Sequence, residues 1–310
     1  MIESIHQPQG FPMNKIVNMN GAILFWTSRK ITRDAAKTAF KKQGFEQFVP
    51  KLDPYEALKA TARQIVDECG LKVAGVAMDY PSLDRKSCGL EVIAQHKGDK
   101  RNQHQFLFSI GATKTGGVSI LDVDPATCPF VASELAQVEA AANGIWSEQV
   151  KFLPAKDLTD ALVTLVKHSK GVLLKESGGV YFVADEYLHW YRGIGTDLAP
   201  LGPSLSSATF GVTSNKALFK QVIDAVVEEI KVEVAAMQQE IADLFANKKN
   251  QRVNGEKRRM EQLCELESKW AYYAKYAGDN GIQMPNLQPA IDACRQAIAA
   301  AALKKFKKGA

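Results

Sequence analysis

From residue 216 the chain repeats itself every seven positions. Val227, Val234 and Ile241 form one apolar row, and Ile223, Ile230, Met237 and Leu244 form a second beside it. Rows alternating by three and four positions lie on one face of an α-helix. The pattern therefore predicts a helix over 216–247 with Glu228, Glu229, Glu233 and Glu240 on its outer face. Such a helix would be about 48 Å long at 1.5 Å per residue. Leu263, Leu266, Trp270, Tyr273 and Ala277 set up another seam of the same spacing, after the polar stretch NKKNQRVNGEKRR with its Asn254-Gly255 turn. Two matching seams and a short connection predict an antiparallel helical hairpin, a coiled-coil arm. The rival is a parallel homodimer built on the first seam. A last helix is expected over 288–306, alanine-rich and ending in Lys-Lys-Phe-Lys-Lys.

Upstream the period changes. Ala22–Trp26 has the length of a strand, and Ala35, Ala36, Ala39 and Phe40 give one side to a helix over 34–42. Asp53-Pro54 pairs an acidic N-cap with proline at the first helical position, opening a helix that carries Tyr55, Leu58, Ala62, Ile65 and Val66. Strand texture follows at Leu71–Met78, at Leu90–Gln95 and Gln105–Ile110 around a charged tip, and at Gly117–Val123. Asp124-Pro125 repeats the acid–proline signal, and helices are expected over 130–146 and 157–168. In GVLLKESGGVYFVADEYLHWY, Glu-Ser-Gly-Gly joins two more strands. The Gly-, Pro- and Ser-rich stretch 201–215 reads as a linker. The fold class is α+β: a mixed or antiparallel sheet body with flanking helices over 1–200, the linker, and the hairpin arm plus C-terminal helix over 216–310.

Composition adds little until the charge is located. The chain has 310 residues, 46% hydrophobic and 24% charged, which suits a soluble globular protein with a sizeable core. No run approaches the ~18 apolar residues of a membrane span. The start, MIESIHQPQG, lacks the basic-then-apolar layout of a signal peptide. Five widely spaced cysteines without a C-x-x-C pair fit reduced thiols, so the expected location is cytoplasmic. The formal net charge is +5. Lys248, Lys249, Arg252, Lys257, Arg258 and Arg259, with Glu256 the one acid among them, also sum to +5. The whole excess thus sits at the expected tip of the arm. Such clusters attract phosphate backbones through counterion release; solvated loops carry them too.

Other chemistry is sparse. No phosphate-binding glycine loop, G-x-S-x-G elbow or H-E-x-x-H pair occurs. Asp122 and Asp124 form a D-x-D at a strand end, able in principle to share a divalent cation, although Asp124 also reads as a helix cap. His96 and His104 flank the charged hairpin tip as surface imidazoles. Tyr181, Phe182, Tyr187, Trp190 and Tyr191 read as sheet core before they read as a base-stacking platform.

Two segments carry a resemblance. FVPKLDPYEALKATARQI places Pro50, Pro54, Ala57 and Ala62 after a strand–helix opening, and GVLLKESGGVYFVADEYL contains Gly178-Gly179-Val180-Tyr181-Phe182-Val183. Together they resemble an uncharacterised group of phage, plasmid and prokaryotic proteins with a GGVYFV hairpin and a helical C-terminal part. Lys59 and Arg63 depart from that group's arginine pattern. The resemblance implies a mobile-element origin and an accessory role beside an AAA+ ATPase of the MoxR type, and it supplies no catalytic residue. The expectation is a non-enzymatic accessory protein, cofactor-free, contacting nucleic acid or an acidic protein partner through the six basic residues. An oligomeric scaffold, or a metal-dependent enzyme using Asp122 and Asp124, is the alternative.

Overall fold

The structure, a computed structural model, describes residues 20–68, 77–84, 87–94, 103–128, 130–175, 179–211, 215–246, 255–279 and 281–309. In chain order the elements begin with β1 (Asn20–Thr27), β2 (Ile31–Thr32), α1 (Arg33–Lys42) and α2 (Pro54–Glu68). Five strands follow: β3 (Ala77–Asp79), β4 (Ser82–Asp84), β5 (Ser87–Ala94), β6 (Gln103–Ala112) and β7 (Val118–Val123). Next come α3 (Ala132–Lys151), β8 (Phe152–Leu153), α4 (Ala155–His168), β9 (Val172–Lys175), β10 (Val180–Ala184) and α5 (Asp185–Leu198). The chain closes with β11 (Ser204–Gly211), α6 (Lys216–Ala246), α7 (Gly255–Asp279) and α8 (Gln288–Gly309). The fold is α+β with antiparallel sheets, as the pattern predicts. Internal packing divides it into two units that interleave along the sequence: Ser28–Leu162 with Thr196–Pro203, and the remainder.

In the first of these units, a five-stranded antiparallel sheet runs β3-β5-β6-β7, with β4 also paired to β5. Asp53 accepts hydrogen bonds from the amides of Tyr55 and Glu56, at 2.9 and 3.4 Å, and so starts α2 as its acid–proline signal predicts. Leu58, Ala62, Ile65 and Val66 of α2 share a core with Leu90, Phe108 and Ile110 of the sheet and with Val138, Ile145 and Trp146 of α3. Strand β7 lies at the edge, and α3 covers it chemically. The Asn143 side chain accepts from the Val118 amide at 2.9 Å and donates to the Val118 carbonyl at 2.7 Å, while Glu139 accepts from the Ile120 amide at 2.9 Å. Helix side chains thus stand in for a missing strand. The approach is close enough that a Cβ on Gly117 would lie 2.5 Å from the Asn143 amide oxygen.

The other unit carries a four-stranded antiparallel sheet in the order β11-β1-β10-β9. Helices α6, α7 and α8 pack against it, and their apolar rows join Val172, Phe182 and Ala184 of the strands in one core. The antiparallel α6–α7 hairpin is present. Val227, Val234, Ile241, Ile223, Ile230 and Met237 are all buried, facing Leu263, Leu266 and Tyr273. Helix α8 contributes Ile291, Cys294 and Ile298 to the same core, so the seam is enclosed by a third helix and by the sheet as well as by its hairpin partner.

Three local expectations are corrected. Within the stretch expected to be a linker over 201–215, Ser204–Gly211 is strand β11, paired residue by residue with β1 from Asn20 to Thr27. Serine and threonine supply turn-like composition, yet their small side chains suit a strand on a half-exposed sheet. Asp185–Leu198 is a helix, α5, where the continuation of the second strand run is expected; its Gly193 and Gly195 are tolerated because Leu188, Tyr191 and Ile194 are buried and anchor it. Asp124-Pro125 starts a turn rather than a helix, with the Asp124 carboxylate accepting from the Ala126 amide at 2.9 Å.

Candidate functional site

The expected site is the basic junction between α6 and α7, and helix polarity decides what surrounds it. Ion pairs tie Glu240 to Arg259 at 3.0 Å and Glu229 to Lys269 at 2.7 Å, so α7 runs back along α6. After the connection, Arg295 and Gln288 of α8 both reach Glu267, at 2.6 and 3.1 Å. Helix α8 therefore reverses again and runs parallel to α6. From Glu267 the start of α7 is about 18 Å away, and a similar distance forward along α8 from Asp292 reaches Lys304. The last turns of α8, which carry Lys304, Lys305, Lys307 and Lys308, thus finish at the end of the bundle where α6 ends and α7 begins.

Of the six predicted residues, Lys248, Lys249 and Arg252 lie outside the described residues. Lys257, Arg258 and Arg259 occupy the first turns of α7. Lys257 and Arg258 are exposed, with Lys257 3.9 Å from Glu261 one turn on. Arg259 differs from them. Its side chain is only 17% exposed and its guanidinium is engaged by Glu240, so it fastens the hairpin as well as adding charge. Four further lysines, beyond the residues selected from the sequence, lie on the last turns of α8. Their signal is the terminal Lys-Lys-Phe-Lys-Lys itself; what the sequence does not carry is the direction in which α8 returns.

A second place of chemical interest lies halfway along the same bundle. A cavity of about 420 Å³ is lined by Val166, Lys167, Leu173, Tyr181, Glu229 and Glu233, among others. Beneath it, Lys269 is buried, and its ammonium donates to the Gly171 carbonyl and to Glu229, each at 2.7 Å. Burial holds the Lys269 pKa below its usual value, against the opposing pull of Glu229, and burial raises the Glu233 carboxyl. The turn that Lys269 grips is shaped for the purpose. Lys170 has φ of 55°, and its carbonyl accepts from the Tyr273 hydroxyl at 2.9 Å, while Ser169 shares a 2.7 Å hydrogen bond with the buried Tyr191 hydroxyl. A Cβ on Gly171 would sit 2.5 Å from a Val166 methyl. The polar atoms of Lys269, Glu229, Tyr273, Ser169 and Tyr191 are thus spent on one another and on the turn's carbonyls.

The Asp122 carboxylate accepts from the Ser109 hydroxyl at 3.3 Å, and Asp124 caps its turn; among the described residues no third metal-ligating side chain joins this pair. His96 lies outside the described residues, and His104 meets Glu91, with its Nδ1 2.9 Å from the carboxylate. Phe182 and Tyr191 are core residues, and Tyr181 stacks on Trp26 at 4.9 Å. No helix among the described residues is long and apolar enough to cross a membrane.

Residues 21–305 match a family of unknown function (DUF6744), and the chain belongs to that family. No curated protein and no solved structure matches it.

Proposed function

We propose that the chain binds nucleic acid, without sequence readout, through the basic end of the α6–α8 bundle. In this reading it is a non-enzymatic accessory protein of a mobile genetic element, working in the host cytoplasm beside other machinery such as an AAA+ ATPase. The observation that carries the reading is the convergence of two basic segments distant in sequence. Residues 248–259 contribute a net +5, and Lys304, Lys305, Lys307 and Lys308 contribute four further positive charges at the same end of the bundle. Charge gathered without a base-reading element suits contact with the phosphate backbone rather than with base edges.

The test is fluorescence anisotropy with labelled duplex and single-stranded oligonucleotides over a salt series. For about six phosphate contacts the log–log salt slope on duplex is near −5. Changing Lys248, Lys249, Arg252, Lys257 and Arg258 to Gln, with Arg259 left to hold the hairpin, abolishes binding at moderate salt. The four α8 lysines, neutralised separately, flatten the slope by roughly one for each phosphate they no longer neutralise. A parent that fails to bind at low salt, or a neutralised variant that binds as well as the parent, refutes the proposal. Equal salt-sensitive binding to poly-glutamate in competition would redirect it to an acidic protein partner.

A further inference from the structure

We propose that Asp79, Glu91 and His104 form a divalent transition-metal site on the outer face of the β3-β5-β6 sheet, independent of the basic end. One ligand atom from each lies within 4.8 Å of the other two. The three belong to three adjacent strands: Asp79 on β3, Glu91 on β5 and His104 on β6.

Register explains how they meet. Asp79 stands directly opposite Glu91 across the β3–β5 ladder. Across the β5–β6 ladder, Leu90 pairs with Phe108 but Glu91 pairs with Phe106, so Leu107 is an extra residue on β6. Without that bulge the regular ladder would set His104 opposite Ala94, on the side of the sheet shared with buried Leu90. With it, His104 pairs with Ile93 and falls on the same side as Glu91. Bulges re-aim side chains in this way and concentrate near functional sites. The pairing of Asp79 with Glu91 points the same way, because like charges directly opposite in a ladder repel. A cation between them converts that repulsion into binding.

The chemistry of the donors names the class of ion. One imidazole nitrogen and two carboxylates suit Zn²⁺, Mn²⁺ or Fe²⁺, with oxygen too few for Ca²⁺ and no thiolate for a soft ion. Around a tetrahedral zinc the ligand atoms stand about 3.3 Å apart, so a closing of the order of 1 Å completes the set. Three protein ligands leave a fourth position open to water or an anionic ligand. Asp79 and His104 are exposed and Glu91 half-buried, which gives the ion access from solvent.

The full chain, stripped with chelator, is titrated with Zn²⁺ by calorimetry and with Co²⁺ by absorption spectroscopy. The expected result is one equivalent of Zn²⁺ bound, a Co²⁺ spectrum typical of nitrogen and oxygen ligands, and a shift of the His104 imidazole resonances in NMR. His104→Ala and Glu91→Gln each weaken binding by about 100-fold or more, while circular dichroism confirms the fold. The NMR readout on the parent keeps the test decisive should either variant fail to fold. No uptake by the parent, unchanged uptake in folded variants, or thiolate-to-cobalt charge-transfer bands placing the ion at cysteine would overturn the assignment. None of these outcomes depends on nucleic-acid binding.

Discussion

Replacing Lys269 with Met tests the account of how the α4–β9 turn is held. The ammonium makes two hydrogen bonds of 2.7 Å, to the Gly171 carbonyl and the Glu229 carboxylate, and the lysine side chain is 7% exposed. At an effective dielectric of about 20, unit charges at that separation attract with about 6 kcal/mol, and desolvation of the ammonium returns several of these. The net worth of the pair is therefore small, but breaking it is not. Methionine fills the space yet strands Glu229, which is 25% exposed and so rehydrates only in part, and leaves the Gly171 carbonyl without its donor. Lys269→Met should destabilise the unit by about 4 kcal/mol, the middle of the range for a broken buried pair. Adding Glu229→Gln removes the stranded charge and should recover about 2 kcal/mol, leaving the carbonyl's share. Urea unfolding followed by circular dichroism, with the slope compared across variants, gives each value. Hydrogen exchange at Val172 and Leu173 locates the weakened segment. A single-variant cost below about 1 kcal/mol, or a double variant whose cost is the sum of the singles, would refute a buried, coupled pair.

Two further outcomes follow from packing and burial. Gly117→Ala drives a methyl to 2.5 Å from the Asn143 amide oxygen and should cost about 1–3 kcal/mol in thermal or urea unfolding, with the amide exchange of Val118 rising in step; a neutral result would mean the α3–β7 clasp is loose. Burial raises the Glu233 carboxyl above its usual 4.5, with Lys167 opposing. The folded state then holds that proton more tightly than the unfolded one, so stability falls as pH rises from 4.5 through the raised value. Glu233→Gln should accordingly raise Tm at about pH 7.5 and give no advantage once the parent carboxyl is protonated; an advantage that persists in acid would count against burial as the cause.

What the chain reveals of itself depends on the range of the interaction. The α6 and α7 seams are readable because heptad spacing is a local property of each helix, and Val227, Val234 and Ile241 are buried as their spacing predicts. Helix α2 is readable for the same reason, its cap and its apolar face both lying within one short segment. Strand β11 is not, because Ser204–Gly211 becomes a strand only by pairing with β1, most of the chain away. Candidate sites divide along the same line. The basic residues from Lys248 to Arg259 are visible as a cluster since they are neighbours in sequence. Their junction with Lys304–Lys308 requires knowing that α8 returns parallel to α6, which is fixed by Glu267 meeting Arg295 and by Ile291 and Ile298 entering the bundle core.

The cluster of Asp79, Glu91 and His104 shows the limit more sharply. Alternation along a strand assigns each residue to a face by counting in twos, and one bulged residue reverses the count for everything beyond it. Leu107 is that residue. Its neighbours Phe106 and Phe108 are apolar on either side, so the sequence offers no break in pattern to mark it. A β-hairpin read by alternation alone therefore puts His104 on the wrong face, away from Glu91, and the site vanishes from view. The same reasoning makes the bulge testable by deletion: removing Leu107 takes out the extra residue and regularises the ladder, while Phe106 stays opposite Glu91 and His104 stays opposite Ile93, on the Glu91 side. Zn²⁺ binding should therefore persist in calorimetric titrations of the folded deletion variant, and its loss there would refute this assignment of faces.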